Sequence, residues 1–103
     1  MAYYIVAHAD VRDIETYRRY AERAEELMVQ HGARVLVGGV RGRYVEGNGP
    51  KRHSIVVFPD EASADACYMS DAYQEILPLA MRSATRNVVV VNGPDVPELF
   101  KTE

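Results

Sequence analysis

Two histidines and a tyrosine are the residues of this chain best suited to moving protons. Tyr4 and His8 lie in one strand-like segment and His53 in another. Neutral imidazole titrates near physiological pH, so a histidine pair can serve acid–base chemistry or bind a metal. No third ligand with metal-type spacing accompanies the pair, so no metal site is expected, and a hydrogen-bonded or exposed histidine pair is the plainer reading. Ser70 and Tyr73, three residues apart, could both address a ligand. Ser70 is also a natural helix cap, and Tyr73 would then pack one turn further in. Arg34, Arg41, Arg43 and Arg52 could hold a carboxylate through paired hydrogen bonds, although scattered surface arginines are common. Three familiar patterns are missing: a serine–histidine–acid order, a phosphate-binding glycine loop and a dinucleotide fingerprint. Gly38-Gly39-Val40-Arg41-Gly42 lacks the spacing and falls within a strand pattern, so no cofactor is expected.

The elements that must position these side chains can be read from periodicity. Tyr3 to Ala9, rich in aromatic and β-branched residues, reads as a strand. Ile14, Tyr17, Tyr20, Ala21, Ala24, Leu27, Met28 and His31 recur at steps of three and four, with charged residues between them. This pattern predicts an amphipathic helix capped by Asp13 and ended by Gly32. Ala33 to Glu46 reads as a long second strand bent or bulged at its glycines. Gly47-Asn48-Gly49-Pro50 is a turn, and Lys51 to Phe58 a third strand paired antiparallel with the second. A second helix over Glu61 to Met69 restarts at Ser70 and runs to about Arg82, with Pro78 predicted to kink it. Val88 to Val91 is an unbroken β-branched run, as expected of a strand covered on both faces. The tail from Gly93 carries Val96, Leu99 and Phe100, enough to dock but too short for an element of its own.

This β-α-β-β-α-β order is that of an α+β, ferredoxin-like domain: a four-stranded antiparallel sheet with both helices on one face. The chain has 103 residues, which is room for one such domain, with its core at 3–92 and a tail at 93–103. Alternation puts Tyr4, Val6 and His8 on one side of the first strand and Tyr3, Ile5, Ala7 and Ala9 on the other. Both sides are apolar, so the face away from the helices needs a cover, and a second copy is the simplest one. A homodimer packed sheet to sheet would enclose Tyr4, His8 and His53 in a cavity for a small-molecule ligand.

Composition narrows the partners. The net charge is -3, and the arginines are interspersed with acids, so nucleic acid is not expected. No apolar run approaches the ~20 residues of a membrane span, and the first residues lack signal-peptide character. With a single cysteine, Cys67, the chain can form no internal disulfide, and the cytoplasm is the expected compartment.

Several segments resemble one family. Asp13-Ile14-Glu15-Thr16-Tyr17, Gly32 with Arg34 and Gly38-Gly39, and Glu46-Gly47 belong to its pattern. So do Val56-Val57-Phe58-Pro59 and Tyr68-Met69-Ser70-Asp71-Ala72-Tyr73-Gln74-Glu75-Ile76-Leu77-Pro78-Leu79. Over about Tyr4 to Gly93 the chain resembles domain of unknown function 1330, within the dimeric α+β-barrel superfamily. The resemblance implies that fold and a dimer, and it carries no general activity. It is also similar at one remove to superfamily enzymes that oxidise, isomerise or cleave small organic molecules without a bound cofactor. A binding module for a small acidic or aromatic ligand, or a plain dimerisation domain, are the alternatives. Cys67 stands where relatives often have tryptophan, Gly38 where many have arginine, and Ala80 where an arginine usually follows Leu-Pro-Leu. If those positions form a pocket in the family, Arg41, Arg43 or Arg82 would substitute here.

Overall fold

A computed structural model describes residues 1–101. Four strands, β1 (Ala2–Val11), β2 (Arg34–Arg41), β3 (Arg52–Phe58) and β4 (Ala84–Gly93), form one sheet in the order β2-β3-β1-β4. All neighbours are antiparallel. Helices α1 (Ile14–Gln30), α2 (Glu61–Met69) and α3 (Asp71–Ser83) cover one face, which gives the split β-α-β layout expected from the sequence.

The ends of α1 follow from local chemistry. The Asp13 carboxylate accepts from the Thr16 amide at 3.2 Å and the Thr16 hydroxyl at 2.6 Å. At the other end Gly32 adopts φ +94°, a left-handed conformation that favours glycine. Its amide donates to the Val29 carbonyl and that of Ala33 to Met28, each at 3.0 Å, so the last carbonyls are satisfied in a Schellman arrangement. Ser70 separates α2 from α3. Its hydroxyl accepts from the Tyr73 amide at 3.2 Å and donates to the Cys67 carbonyl at 2.7 Å. α3 continues as one helix through Pro78.

The core lies where large residues of the sheet meet the helices. Val56 and Phe58 of β3 pack with Tyr20, Ala24 and Leu27 of α1 and with Ala64, Cys67, Tyr73 and Ala80 of α2 and α3, flanked by Tyr3 and Ile5 of β1. Burying a side chain such as Phe58 contributes about 2 kcal/mol.

Three elements differ from expectation. β2 ends at Arg41, not Glu46, because the glycine-rich stretch after it leaves the sheet and folds back on itself, with the Tyr44 hydroxyl donating to the Pro50 carbonyl at 2.8 Å. Its pairing with β3 shifts register twice between Val35 and Val40, the irregularity that the paired glycines predict. β4 starts at Ala84, four residues before its valine run, directly from α3. It is an edge strand, and Val88 to Val91 are 42% to 52% exposed, so within one chain this run is fully covered on neither face. The tail does make a short element, a 3-10 turn at Pro97–Phe100.

The tail crosses one end of the face opposite the helices. The Tyr4 hydroxyl donates to the Pro94 carbonyl at 3.0 Å, and Phe100 lies under the Arg34 guanidinium, 5.7 Å from it. Val57, between Arg34 and Tyr4 in the strand register, is fully buried. Further along, that face is open.

Candidate functional site

The open face carries Tyr4, His8 and His53, as alternation indicates. His8 and His53 are direct cross-strand partners, and their Nδ1 atoms lie 2.8 Å apart. Which ring donates depends on their tautomers. The Tyr44 ring stands edge-on to His53 at 5.6 Å. Gly42 leaves room for the His53 ring, since a Cβ there would meet it at 2.6 Å. Tyr4 is four residues from His8 along β1, about 13 Å, and its hydroxyl is engaged by the tail. The structure therefore joins the two histidines and leaves Tyr4 apart from them.

A cavity of about 1170 Å³ lies on the other face, between the sheet and the helices. Its origin is a matter of side-chain size. Moving along the helical face from the core, the cross-strand rows change from Phe58–Tyr3 and Val56–Ile5 to Ser54–Ala7, and then to Arg52–Ala9–Arg86. Small residues in the floor beneath α1 leave space that the larger pairs fill elsewhere. Tyr17, Tyr20 and Met28 of α1, with Tyr73 and Leu77 of α3, line the remaining walls.

The polar groups of this cavity form a chain. Arg86 Nη2 donates to the Tyr20 hydroxyl at 3.1 Å, and the hydroxyls of Tyr20 and Tyr73 hydrogen-bond to each other. The Tyr20 hydroxyl thus accepts from Arg86 and shares a second hydrogen bond with Tyr73, in which either hydroxyl can donate. The guanidinium lies 4.9 Å from the Tyr20 ring centroid and 5.9 Å from that of Tyr17, within cation–π range. Arg86 Nε is buried and has no hydrogen-bond partner. Among the described residues, no carboxylate lies within ion-pair distance of Arg86. Glu22, Glu25 and Asp65 reach only the rim, where all three are exposed.

These surroundings set the protonation states. Burial pushes the Tyr20 phenol far up, the neighbouring Tyr73 adds to this, and Arg86 offsets part of it. Tyr17 is also raised by burial, with Arg86 and Arg52 pulling the other way. Burial works against the Arg86 charge, but the hydroxyls of Tyr20, Tyr17 and Tyr73 outweigh it, so its pKa sits above the ordinary value. Around Arg86 the cavity therefore presents a cation beside the neutral phenols of Tyr17 and Tyr20 at neutral pH. Burial raises the Cys67 thiol as well, which makes it a poor nucleophile.

Of the side chains singled out from sequence for ligand chemistry, Tyr73 and Arg52 line this cavity. Ser70 acts beside it, capping the helix that carries Tyr73. Arg34 Nη1 donates to its neighbour's carbonyl, Ala33 O, at 3.0 Å on the tail side, and Arg41 and Arg82 are exposed. Arg86, Tyr20, Tyr17 and Arg52 were not marked as a group by sequence. Starting β4 at Val88 leaves Arg86 outside the strand; extending the alternation two residues upstream puts it on the same side as Val88 and Val90. Among the described residues no three histidine, cysteine, aspartate or glutamate side chains converge as metal ligands would, and no helix is long and apolar enough to cross a membrane.

Comparison with known proteins bears on the fold. The family model of Domain of unknown function (DUF1330) matches residues 2–94. A Rhodopseudomonas palustris protein of unknown function, RPA0582, superposes with a TM-score of 0.77 at 13% identity, covering 92% of this chain and 84% of its own. SnoaB, a cofactor-independent oxygenase from Streptomyces nogalater, gives 0.67 at 9% identity over 92% of this chain and 95% of its own. A dimeric ferredoxin-like protein of unknown function from Jannaschia gives 0.65 at 15% identity, covering 90% of this chain and 100% of its own. No curated protein matches the sequence.

Proposed function

The chain belongs to the DUF1330 family, and from that fold and its cavity we propose that it takes up a flat organic acid, or an acidic enol or phenol, between helices and sheet. The observation that carries this reading is Arg86, a cation that lines the cavity and, among the described residues, has no carboxylate within ion-pair distance. An anionic oxygen is the partner such a group lacks. Aromatic walls suit a planar ligand, and the Tyr20 hydroxyl, itself bonded to that of Tyr73, holds the guanidinium in place.

The same donors support chemistry. A fixed cation in a partly dry cavity stabilises the ionised form of a bound enol or phenol and so lowers its pKa. Generating that electron-rich anion is the step this protein's own side chains could assist, and SnoaB, of similar fold, is a cofactor-independent oxygenase. The molecule works as a homodimer in this reading, with a second copy covering the open face where Val89 and Val91 stand half exposed. The dimeric Jannaschia protein of similar fold supports that arrangement.

Titration calorimetry with 2-naphthoate and its uncharged counterpart 2-naphthamide tests the binding site. A hydrogen bond to a charged group contributes about 1.5–3 kcal/mol, so the acid should bind roughly 10- to 100-fold more tightly than the amide. Arg86→Met should remove that preference. Equal affinity for acid and amide in the wild type, or a preference that survives Arg86→Met, would contradict the proposal.

A further inference from the structure

Arg86 has a counterpart across the sheet. Ala9 of β1 pairs with Arg52 of β3 on one side and with Arg86 of β4 on the other, so the two arginines flank one alanine in a single cross-strand row. Directly opposed residues project from the same face of a sheet, and both side chains line the cavity. Two antiparallel strand spacings separate their Cα atoms by about 10 Å. Ala9 itself is buried between them, and the two arginine side chains reach the cavity from either side of it.

Neither arginine is neutralised. Arg52 Nη1 donates to the Gly39 carbonyl at 3.1 Å, which orients the group without cancelling its charge. Among the described residues neither Arg52 nor Arg86 has a carboxylate within ion-pair distance. Tyr17 also lines the cavity, with the Arg86 guanidinium 5.9 Å from its ring centroid, and both arginines lower its pKa against the effect of burial. Two like charges sharing a partly enclosed space raise the energy of the empty cavity, and an occupant with two anionic groups relieves both.

Resting on the proposal that the cavity binds an organic acid through Arg86, we infer that the ligand is a rigid dianion, with one acidic group held by Arg86 and the other by Arg52 across Ala9. A dicarboxylate, or an aromatic acid bearing a second ionised hydroxyl at the far end, has this chemistry.

The test compares naphthalene-2,6-dicarboxylate with 2-naphthoate by calorimetry on the wild type, Arg52→Met and Arg86→Met, with circular dichroism to verify folding. In the wild type the dicarboxylate should bind at least 10-fold more tightly. Arg52→Met should abolish that advantage and leave the 2-naphthoate affinity within about two-fold, whereas Arg86→Met should weaken both ligands. If the two ligands bind the wild type equally, the dianion inference is wrong and the monoanion site stands. If the dicarboxylate advantage survives Arg52→Met, Arg52 is not the second anchor and the inference again fails. If neither acid binds, the underlying function proposal fails with it. Should Arg52→Met not fold, the wild-type comparison still decides the matter, and Arg52→Gln repeats the variant arm.

Discussion

Removing the hydroxyls of Tyr20 and Tyr73 one at a time, and then together, measures how firmly the cavity's polar chain is coupled. Both rings are buried, and the chain runs from Arg86 Nη2 through the Tyr20 hydroxyl to that of Tyr73. Tyr73→Phe deletes the terminal link. Tyr20 keeps its bond from Arg86, so the loss should be about 1 kcal/mol, the usual net value of one hydrogen bond. Tyr20→Phe deletes the middle link and strands two groups, Arg86 Nη2 and the Tyr73 hydroxyl, for a loss of about 2–3 kcal/mol. In the double variant the stranded Tyr73 hydroxyl is gone too. The combined loss should therefore fall short of the sum of the singles by about 1 kcal/mol. Urea denaturation followed by circular dichroism resolves these differences, and for a domain of this size each 1 kcal/mol moves the melting temperature by about 4–8 °C. Additivity to within about 0.3 kcal/mol, or a Tyr73→Phe loss as large as that of Tyr20→Phe, would refute the chain as described.

The remaining predictions concern the other faces of the molecule. His8→Ala with His53→Ala should leave 2-naphthoate affinity unchanged, because the pair lies across the sheet from the cavity; loss of binding by calorimetry would move the site to the open face. Val89→Glu puts a charge on the exposed valine of the open face and should convert a dimer into a monomer in sedimentation velocity at micromolar concentration, whereas a monomeric wild type would remove the dimer proposal. Asp60 caps α2, and the backbone hydrogen bond from Ser63 holds its carboxyl below the usual range. A folded pKa below the unfolded value of about 3.9 adds stability above that pH, lost as pH falls through the folded value. Asp60→Ala should accordingly lower the melting temperature at pH 7, and the gap to the wild type should narrow below about pH 4 and close in stronger acid; a gap that is constant with pH would show that ionisation of the cap is irrelevant.

Much of the framework could be read from the chain because it depends on neighbours in sequence. Asp13 and Gly32 delimit α1 through hydrogen bonds within a few residues of each, and Ser70 divides α2 from α3 in the same local way. Alternation along β1 correctly separated Tyr4, Val6 and His8 from Tyr3, Ile5, Ala7 and Ala9, since successive side chains of a strand must point to opposite faces. The His8–His53 contact was legible as far as adjacent strands, and the register then made it a direct pair. The first residues of β4 are not legible as strand because Arg86 and Asn87 interrupt the β-branched pattern between Thr85 and the valines that follow.

The cavity site is of another kind. Arg52 and Arg86 are 34 positions apart and come together only because Ala9 pairs with both. Tyr20 and Tyr73 read as separate core residues of two helices until the packing of α1 against α3 joins their hydroxyls. Periodicity along a chain reports which face a side chain takes, whereas strand register and helix packing decide what it meets there. The amino-acid sequence thus determined the elements, their order and two apolar sheet faces. The tertiary structure decided that small residues in the floor on the helical side would leave a space, and that an arginine without a counter-ion would face it.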